Sequence, residues 1–372
     1  MNHPIISFIS NNTGSLEQKL EKFKETNNIV YKRHGNLLIT KYSKDGKYGT
    51  KDERSCRGSI IDLDKLVLLT PSIPGDISYE DFKSQVPFKY CVVEENIEGT
   101  LINIYFYNGR WNVSTKYNIN ADESKFRGKK TFRQLFDNLF NWEELEKNLD
   151  VNFCYSFVLS TKDNKMVTPV KSNALYHIET TNRVTGDKLL VDIGIKHPKI
   201  IYIGNMKQGI NVPNPEKMNQ YEDLENSLKS LDYTKRGFML YSLDRKFRCS
   251  LINPKYQKVF DMLKDQSDED FLCFKSLYYD NNSSELVKYC PDLNVKMQDV
   301  SIRFEAYLNN LYRMYVDKYC YKLDVDLNNK YGKTIKKFNK HYQQNRQRIT
   351  REMARNIVLS QDCPYVFVNA LK

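Results

Sequence analysis

The chain has 372 residues, with 57 Lys and Arg against 46 Asp and Glu, and a formal net charge of +11 at neutral pH. Hydrophobic residues make up 40% and aromatics 13%, which is enough for the cores of two ordinary domains and excludes a wholly disordered chain. A mean hydropathy of −0.63, with no apolar run near ~18 residues, excludes a membrane span and leaves a basic protein whose charge suits a polyanion.

The N-terminal MNHPIISFISNNTGSLEQKL carries no basic region ahead of its short apolar stretch and reads as mature protein, not a signal peptide. SLEQKLEKFKETNN predicts a helix capped by Ser15, with Leu16, Leu20 and Phe23 on one face. Strand-like runs follow: NLLITKY, RGSIIDL, KLVLLT, KYCVVEE, TLINIYFY, RWNVSTKY, FCYSFVLS, ALYHIETT, KLLVDIGI, KIIYIGN, GFMLYSL and KFRCSLI. Asn108-Gly109 predicts a two-residue hairpin turn, and Thr185-Gly186-Asp187 marks a second tip. Helical interludes are expected at about 130–148 and 214–231. Beyond residue 256 the pattern turns helical, through YQKVFDMLKD, DEDFLCFKSLYYD, SIRFEAYLNNLYRMYVDKY and a long basic stretch at about 330–360. With Asn253-Pro254 as punctuation, the expected domains are 1–257 and 258–372, an α+β domain of antiparallel sheets followed by an all-helical one.

Eight cysteines are scattered singly with no CxxC pair, so a zinc ribbon is not expected. Several lie inside apolar runs and read as buried free thiols of a reducing, cytoplasmic compartment. The five histidines show no metal-ligand spacing, and no metal site or cofactor is expected. There is no Walker-type loop, dinucleotide fingerprint or Gly-x-Ser-x-Gly. Abundant Lys, Asn, Tyr and Ile suggest an AT-rich genome.

The segments SCRGSIID, VVEENIEGTLINIYFYNGRWNVSTK, FCYSFVLSTKDNKMV, LYHIETTNRVTGD, KRGFMLYSL and FRCSLINPKYQKV occur in that order. This collinear series resembles the covalent nucleotidyltransferase superfamily, and within it the RNA ligases of the phage tRNA-repair type, over about residues 28–260. The resemblance implies a nucleotidyltransferase-like fold and a lysine amine that attacks the α-phosphate of ATP, with carboxylates and a metal ion beside the phosphates. It also points to a large DNA virus as source. Key positions depart from the family pattern. Asn96 of Asn96-Ile97-Glu98-Gly99 stands where the family has its nucleophilic lysine, and Ser156 where it has a strand glutamate. Arg236 takes the place of the Glu-Gly carboxylate, and Ser250 and Ile252 replace two late lysines. An asparagine amide cannot form the phosphoramidate, so the expectation is a site that has lost its chemistry and kept its binding. Residues expected at the nucleotide are Arg57, Asn96, Glu98, Gly99, Thr115, Lys116, Tyr155, Phe157, Tyr176, Arg236 and Arg248, with Gly58 and Gly237 shaping the walls. Tyr155, Phe157, Tyr176 and Trp111 are candidates to sandwich a purine or cap-like base. Lys89, on the preceding strand, is the alternative nucleophile.

KTIKKFNKHYQQNRQRITREMAR predicts an amphipathic basic helix. Lys333, Lys336, Lys337, Lys340, Arg346, Arg348 and Arg351 would follow a phosphate backbone, with His341 and Tyr342 available to stack on bases. The expected partner is RNA, held by an end or a cap-like terminal nucleotide, with no membrane partner. The alternatives are an active ATP-dependent RNA ligase or capping-type transferase using another lysine, and a protein-binding scaffold.

Overall fold

Helices α1 (Pro4–Asn11) and α2 (Leu16–Asn27) open the chain. Pro4 sits in the first turn of α1, where its missing N–H costs nothing. Ser15 and Gln18 form a capping box at α2: the Gln18 N–H donates to Ser15 Oγ (3.3 Å) and the Ser15 N–H to Gln18 Oε1 (2.9 Å). The computed structural model describes residues 3–27, 29–42, 50–71, 76–126, 129–139, 141–189, 191–204, 220–264 and 268–371. It falls into two units, Met1–Phe260 and Asp261–Lys372.

The first unit holds three antiparallel sheets. Strands β1 (Ile29–His34), β2 (Leu37–Tyr42), β3 (Ile60–Asp62) and β4 (Val67–Thr70) form the first in sequence order, with α3 (Lys51–Ser55) between β2 and β3. Ile5, Ile9, Leu20 and Phe23 of α1 and α2 cover its apolar face. After α4 (Tyr79–Gln85) come β5 (Cys91–Glu95), β6 (Thr100–Tyr107), β7 (Arg110–Thr115), α5 (Phe132–Asp137), α6 (Trp142–Glu146), β8 (Phe153–Ser160), β9 (Ala174–Asn182), β10 (Lys188–Leu189) and β11 (Ile200–Ile203). Helix α7 (Tyr221–Ser230) and strands β12 (Gly237–Ser242) and β13 (Arg248–Ile252) complete the sheets. The second sheet has the order β10-β9-β8-β6-β7 and the third β11-β5-β12-β13. Helices α5 and α6 cover one face of the second sheet, through Phe132, Leu135, Phe136 and Leu145. Helices α4 and α7 cover one face of the third, through Phe82, Leu224 and Leu228.

The Asn108-Gly109 turn forms as expected, with φ of +50° and +76° joining β6 to β7. KLLVDIGI does not form the expected long strand: β10 covers Lys188 and Leu189, and at Asp192 the side chain accepts the Gly194 N–H (2.9 Å) in a turn with Gly194 at φ +77°. The interlude at 130–148 is two short helices, because Asn141 caps a new start by accepting the Glu143 N–H (2.9 Å). The interlude at 214–231 begins as α7 at Tyr221, and its residues 214–219 lie outside the described residues. Helix α1, strand β1 and the capped α3 and α4 were not anticipated.

Helix α8 (Pro254–Leu263) begins in the first unit and runs past its last residue, Phe260. The second contains α9 (Glu269–Tyr278), α10 (Ser283–Tyr289), α11 (Leu293–Tyr315), α12 (Gly332–Asn345), α13 (Arg351–Leu359) and α14 (Cys363–Leu371). Phe274 of α9 meets Phe304 of α11 (centroids 5.4 Å) and Phe367 of α14 (6.3 Å) in its core. The basic stretch expected as one helix is two. Arg346 takes φ +53° and closes α12 by donating its N–H to the Tyr342 carbonyl (2.7 Å), and Thr350 caps α13 by accepting the Met353 N–H (3.2 Å). No helix among the described residues is long and apolar enough to cross a membrane.

Candidate functional site

Strand β5 ends at Glu95, and the chain continues along the mouth of a cleft of about 540 Å³ between the second and third sheets. The Asn96 N–H donates to the Gly237 carbonyl (3.0 Å), which pins it beside β12, and its side-chain amide donates to Ser250 Oγ on β13 (2.8 Å). Two positions where the resemblance calls for lysines therefore hydrogen-bond to each other inside the cleft. Gly237 stands at φ +124°, and a Cβ there would lie 2.2 Å from the Leu251 carbonyl oxygen, so only glycine fits this crossing. Gly99 is equally confined, since a Cβ would lie 2.4 Å from the Leu159 carbonyl oxygen on β8.

Arg57, Lys116, Arg236 and Arg248 line the cleft together with Thr115 and Gly99. The carboxylates on the same walls are already engaged. Asp76 lies 2.8 Å from Arg248 Nε, Glu95 lies 3.0 Å from Lys235 Nζ, and Glu94 sits between Arg245 and His197 at 3.1 Å from each. Lys116 and Arg236 form no ion pair among the described residues; Arg236 donates to the Ile97 carbonyl (3.4 Å) and the Lys116 ammonium lies 4.8 Å from the Tyr117 ring centroid. Burial and the neighbouring Arg57, Arg248 and Arg236 charges, against a smaller opposing pull from Asp76, lower the Lys116 pKa to about 8. Among the described residues the cleft wall thus carries cationic side chains beyond those its carboxylates pair with. The resemblance also implies a divalent metal, and the donor set does not fit one. Each lining carboxylate is paired with a cation, and no group of three or more His, Cys, Asp or Glu among the described residues converges on a point.

The expected site residues separate into three groups. Arg57, Asn96, Gly99, Thr115, Lys116, Arg236 and Arg248 meet in the cleft with Ser250. Glu98 and Tyr176 line a second cavity of about 380 Å³ that shares Glu95, Asn96, Ile97 and Arg236 with the first. Glu98 has no capacity left for a ligand. Its carboxylate accepts the backbone N–H groups of Met166, Val167 (3.1 Å) and Thr168 (2.9 Å) and the Tyr256 hydroxyl (2.8 Å), fixing the loop after β8 against α8. Tyr155 and Phe157 are not at the cleft. On β8 they point to the opposite face, into the core beneath α5, where Trp111 also packs; alternation along the strand puts Val158 in the cleft instead. Ser156 is buried and donates to Asn103 Oδ1 (2.7 Å). Lys89 is exposed with its ammonium over Tyr90, away from Asn96.

A buried charge cluster beneath the cleft was missed. Arg245, at φ +53° in the β12–β13 turn, reaches back to Glu94 (3.1 Å) and Glu179 (3.7 Å), and Lys188 pairs with Glu179 (2.8 Å). Burial raises the Glu94 pKa, but Arg245 and His197 together outweigh it and the net shift is downward. The available signal was an acid in the middle of an apolar strand, VVEE, which needs a buried partner that sequence spacing cannot locate.

In the second unit Lys333, Lys336, Lys340, Arg346 and Arg348 are exposed. Arg351 is committed to Glu305 and to Asn309 (2.8 Å), and Lys337 to Gln361 (3.2 Å).

No family model matches the chain. Over 142 residues it is 25% identical to an "Immediate-early protein ICP-46 homolog" of Invertebrate iridescent virus 3, covering 34% of this chain and 32% of that protein. Over 203 residues it is 26% identical to a protein of Autographa californica nuclear polyhedrosis virus assigned as a bifunctional polynucleotide kinase/RNA ligase, covering 52% of this chain and 26% of that one. The chain spans no more than about a third of the length of these curated relatives. Solved structures similar to it include ATP-dependent RNA and DNA ligases. They include an archaeal ATP-dependent RNA ligase (TM-score 0.47, 10% identity, 82% of this chain and 83% of that one) and a Naegleria gruberi RNA ligase (TM-score 0.34, 11% identity, 52% and 59%).

Proposed function

We propose that the protein is a ligase-like RNA-binding protein whose cleft holds a phosphorylated or cap-like terminal nucleotide without joining it to anything. One observation carries this reading. At the position where an attacking amine is required, the Asn96 amide donates to Ser250, whose own position would otherwise bear a phosphate-gripping lysine. The cationic wall of Arg57, Lys116 and Arg236 still suits a terminal phosphate, and the paired carboxylates suit no catalytic metal. The exposed Lys333, Lys336, Lys340, Arg346 and Arg348 of the second unit would add phosphate contacts without sequence preference. The test has two arms. Incubation with labelled ATP or GTP and a divalent metal, then denaturing electrophoresis, should leave no label on the protein. A panel of 5′-hydroxyl, 5′-monophosphate, 5′-triphosphate and capped RNAs in one binding assay should show preference for a charged end. A stable covalent adduct, or equal affinity across the panel, overturns the proposal.

A second reading is favoured by Lys116. With its pKa at about 8 it has appreciable free amine at neutral pH, and it lines the same cleft. On this reading the protein is an active nucleotidyltransferase with a displaced nucleophile. A label that appears on the wild-type chain and is lost in Lys116→Arg would establish it.

A further inference from the structure

The cavity of about 790 Å³ in the second unit is lined by Tyr312, Tyr315, Tyr319, Tyr321 and Tyr342, and no carboxylate among the described residues lines it. We propose that this cavity is a stacking site for the bases of single-stranded RNA, distinct from the cleft of the first unit. The choice of RNA rests on the functional reading above; the choice of stacking rests on the cavity itself.

Local backbone features build it. Helix α11 does not simply stop at Tyr315. It widens into one π turn over Val316–Cys320, in which the Tyr321 N–H donates to the Val316 carbonyl (3.0 Å), and Lys322 follows at φ +60°. That turn brings Tyr319 and Tyr321 into one wall with the end of α12, where Arg346 at φ +53° turns the chain so that Arg348 and Ile349 join it. Tyr315, 4% exposed, packs against Phe338 (centroids 5.9 Å) and Tyr319 (5.6 Å), and the Tyr312 hydroxyl donates to the Ile349 carbonyl (3.2 Å). These two rings are a satisfied floor. Tyr321 and Tyr342 are 70% and 40% exposed, so both rings on the rim are accessible to a flat ligand.

The charges on the rim select the ligand. Lys322, Arg346 and Arg348 are exposed and form no ion pair among the described residues. Asn339 and Gln343 bring amides able both to donate to and to accept from base edges. Rings for the bases, cations for the phosphates and the absence of lining acids together describe a single-stranded nucleic-acid platform.

The test uses the full chain and two fluorescent single-stranded RNA 12-mers of one sequence, one with a 5′-hydroxyl and one with a 5′-monophosphate. Anisotropy titrations of Tyr321→Ala and Tyr342→Ala should show each losing about tenfold in affinity for both oligonucleotides. Tyr321→Phe and Tyr342→Phe should bind as wild type. Zero-length crosslinking of a 4-thiouridine version should label peptides from the 312–349 region. Both rings are exposed, so the alanine variants fold, as circular dichroism would confirm. Unchanged affinity in both alanine variants, or crosslinks confined to the first unit, overturns the inference. The cleft reading is tested separately by the wild-type preference for the 5′-monophosphate, so either proposal can fail alone.

Discussion

The Lys116 ammonium supplies a pH signature for the cleft. Burial and the charges of Arg57, Arg236 and Arg248 hold its pKa at about 8, with Asp76 opposing them. A terminal phosphate is already a dianion above its second pKa of about 6, so between pH 7 and 9 lysine is the group in the contact that changes. Bound phosphate favours the protonated amine, and affinity follows the fraction protonated in the free protein. That fraction falls from about nine-tenths at pH 7 to about one-tenth at pH 9, so affinity for a 5′-monophosphate RNA should drop roughly tenfold. In Lys116→Arg the charge no longer titrates and the profile should be flat, with affinity at pH 7 retained. The assay is anisotropy at constant ionic strength in half-unit steps of pH. A flat wild-type profile, or a wild-type slope that persists in Lys116→Arg, refutes the assignment of this lysine to the phosphate. Stability should move the opposite way. The unfolded lysine binds its proton more tightly than the folded one, so stability rises with pH from about 8 toward the unfolded pKa of about 10.5, in the window where binding is being lost.

Arg245→Met should be among the most damaging single changes, because it leaves the Glu94 carboxylate buried with His197 as its remaining close partner; a loss of about 3–5 kcal/mol, read as a Tm fall of order 10 °C, is expected. The same ion pair holds the Glu94 pKa down, so its contribution is present at neutral pH and disappears as pH falls below the unfolded value of about 4.5 in wild type, which an acid titration of Tm checks. Glu98→Ala should cost about 3 kcal/mol, since it strands three backbone donors and the Tyr256 hydroxyl, and limited proteolysis should then cut within residues 161–173. RNA affinity should fall steeply between 50 and 200 mM salt, by about tenfold or more if several phosphates are held, and a flat salt response would contradict the polyanion reading.

Strand positions were legible because alternation of apolar and polar residues is a local property. FCYSFVLS and TLINIYFY read correctly, and the Asn108-Gly109 turn followed from its need for positive φ at two successive residues. Direction along the strand was harder. Tyr155 and Phe157 were expected at the pocket as aromatics able to sandwich a base, yet successive residues on a strand face opposite sides, and these two rings belong to the core under α5. The break at Arg346 was invisible for a different reason: the helical periodicity of KTIKKFNKHYQQNRQRITREMAR runs through it almost undisturbed, and no glycine or proline marks a stop. Arg245, 151 positions from its partner Glu94, belongs to a cluster that only the folded sheets bring together.

On the proposed reading, a cleft remodelled around the loss of its chemistry differs from a merely damaged one in how the substituted side chains are satisfied. A damaged cleft would leave polar groups facing holes where long lysines and glutamates had been, and unsatisfied buried polar groups cost about 1–3 kcal/mol each. Here the substitutes engage neighbours instead. Asn96 donates to Ser250, Ser156 donates to Asn103, and Arg236 donates to the Ile97 carbonyl. Asn96→Lys alone should therefore not restore nucleotidyl transfer. It would displace a satisfied amide and place a fresh ammonium among Arg57, Lys116 and Arg236, and it would supply neither a free carboxylate nor a metal. A labelled adduct on the introduced amine of that variant, released by acid and stable to base as a phosphoramidate is, would show that the surrounding groups had kept their catalytic competence after all.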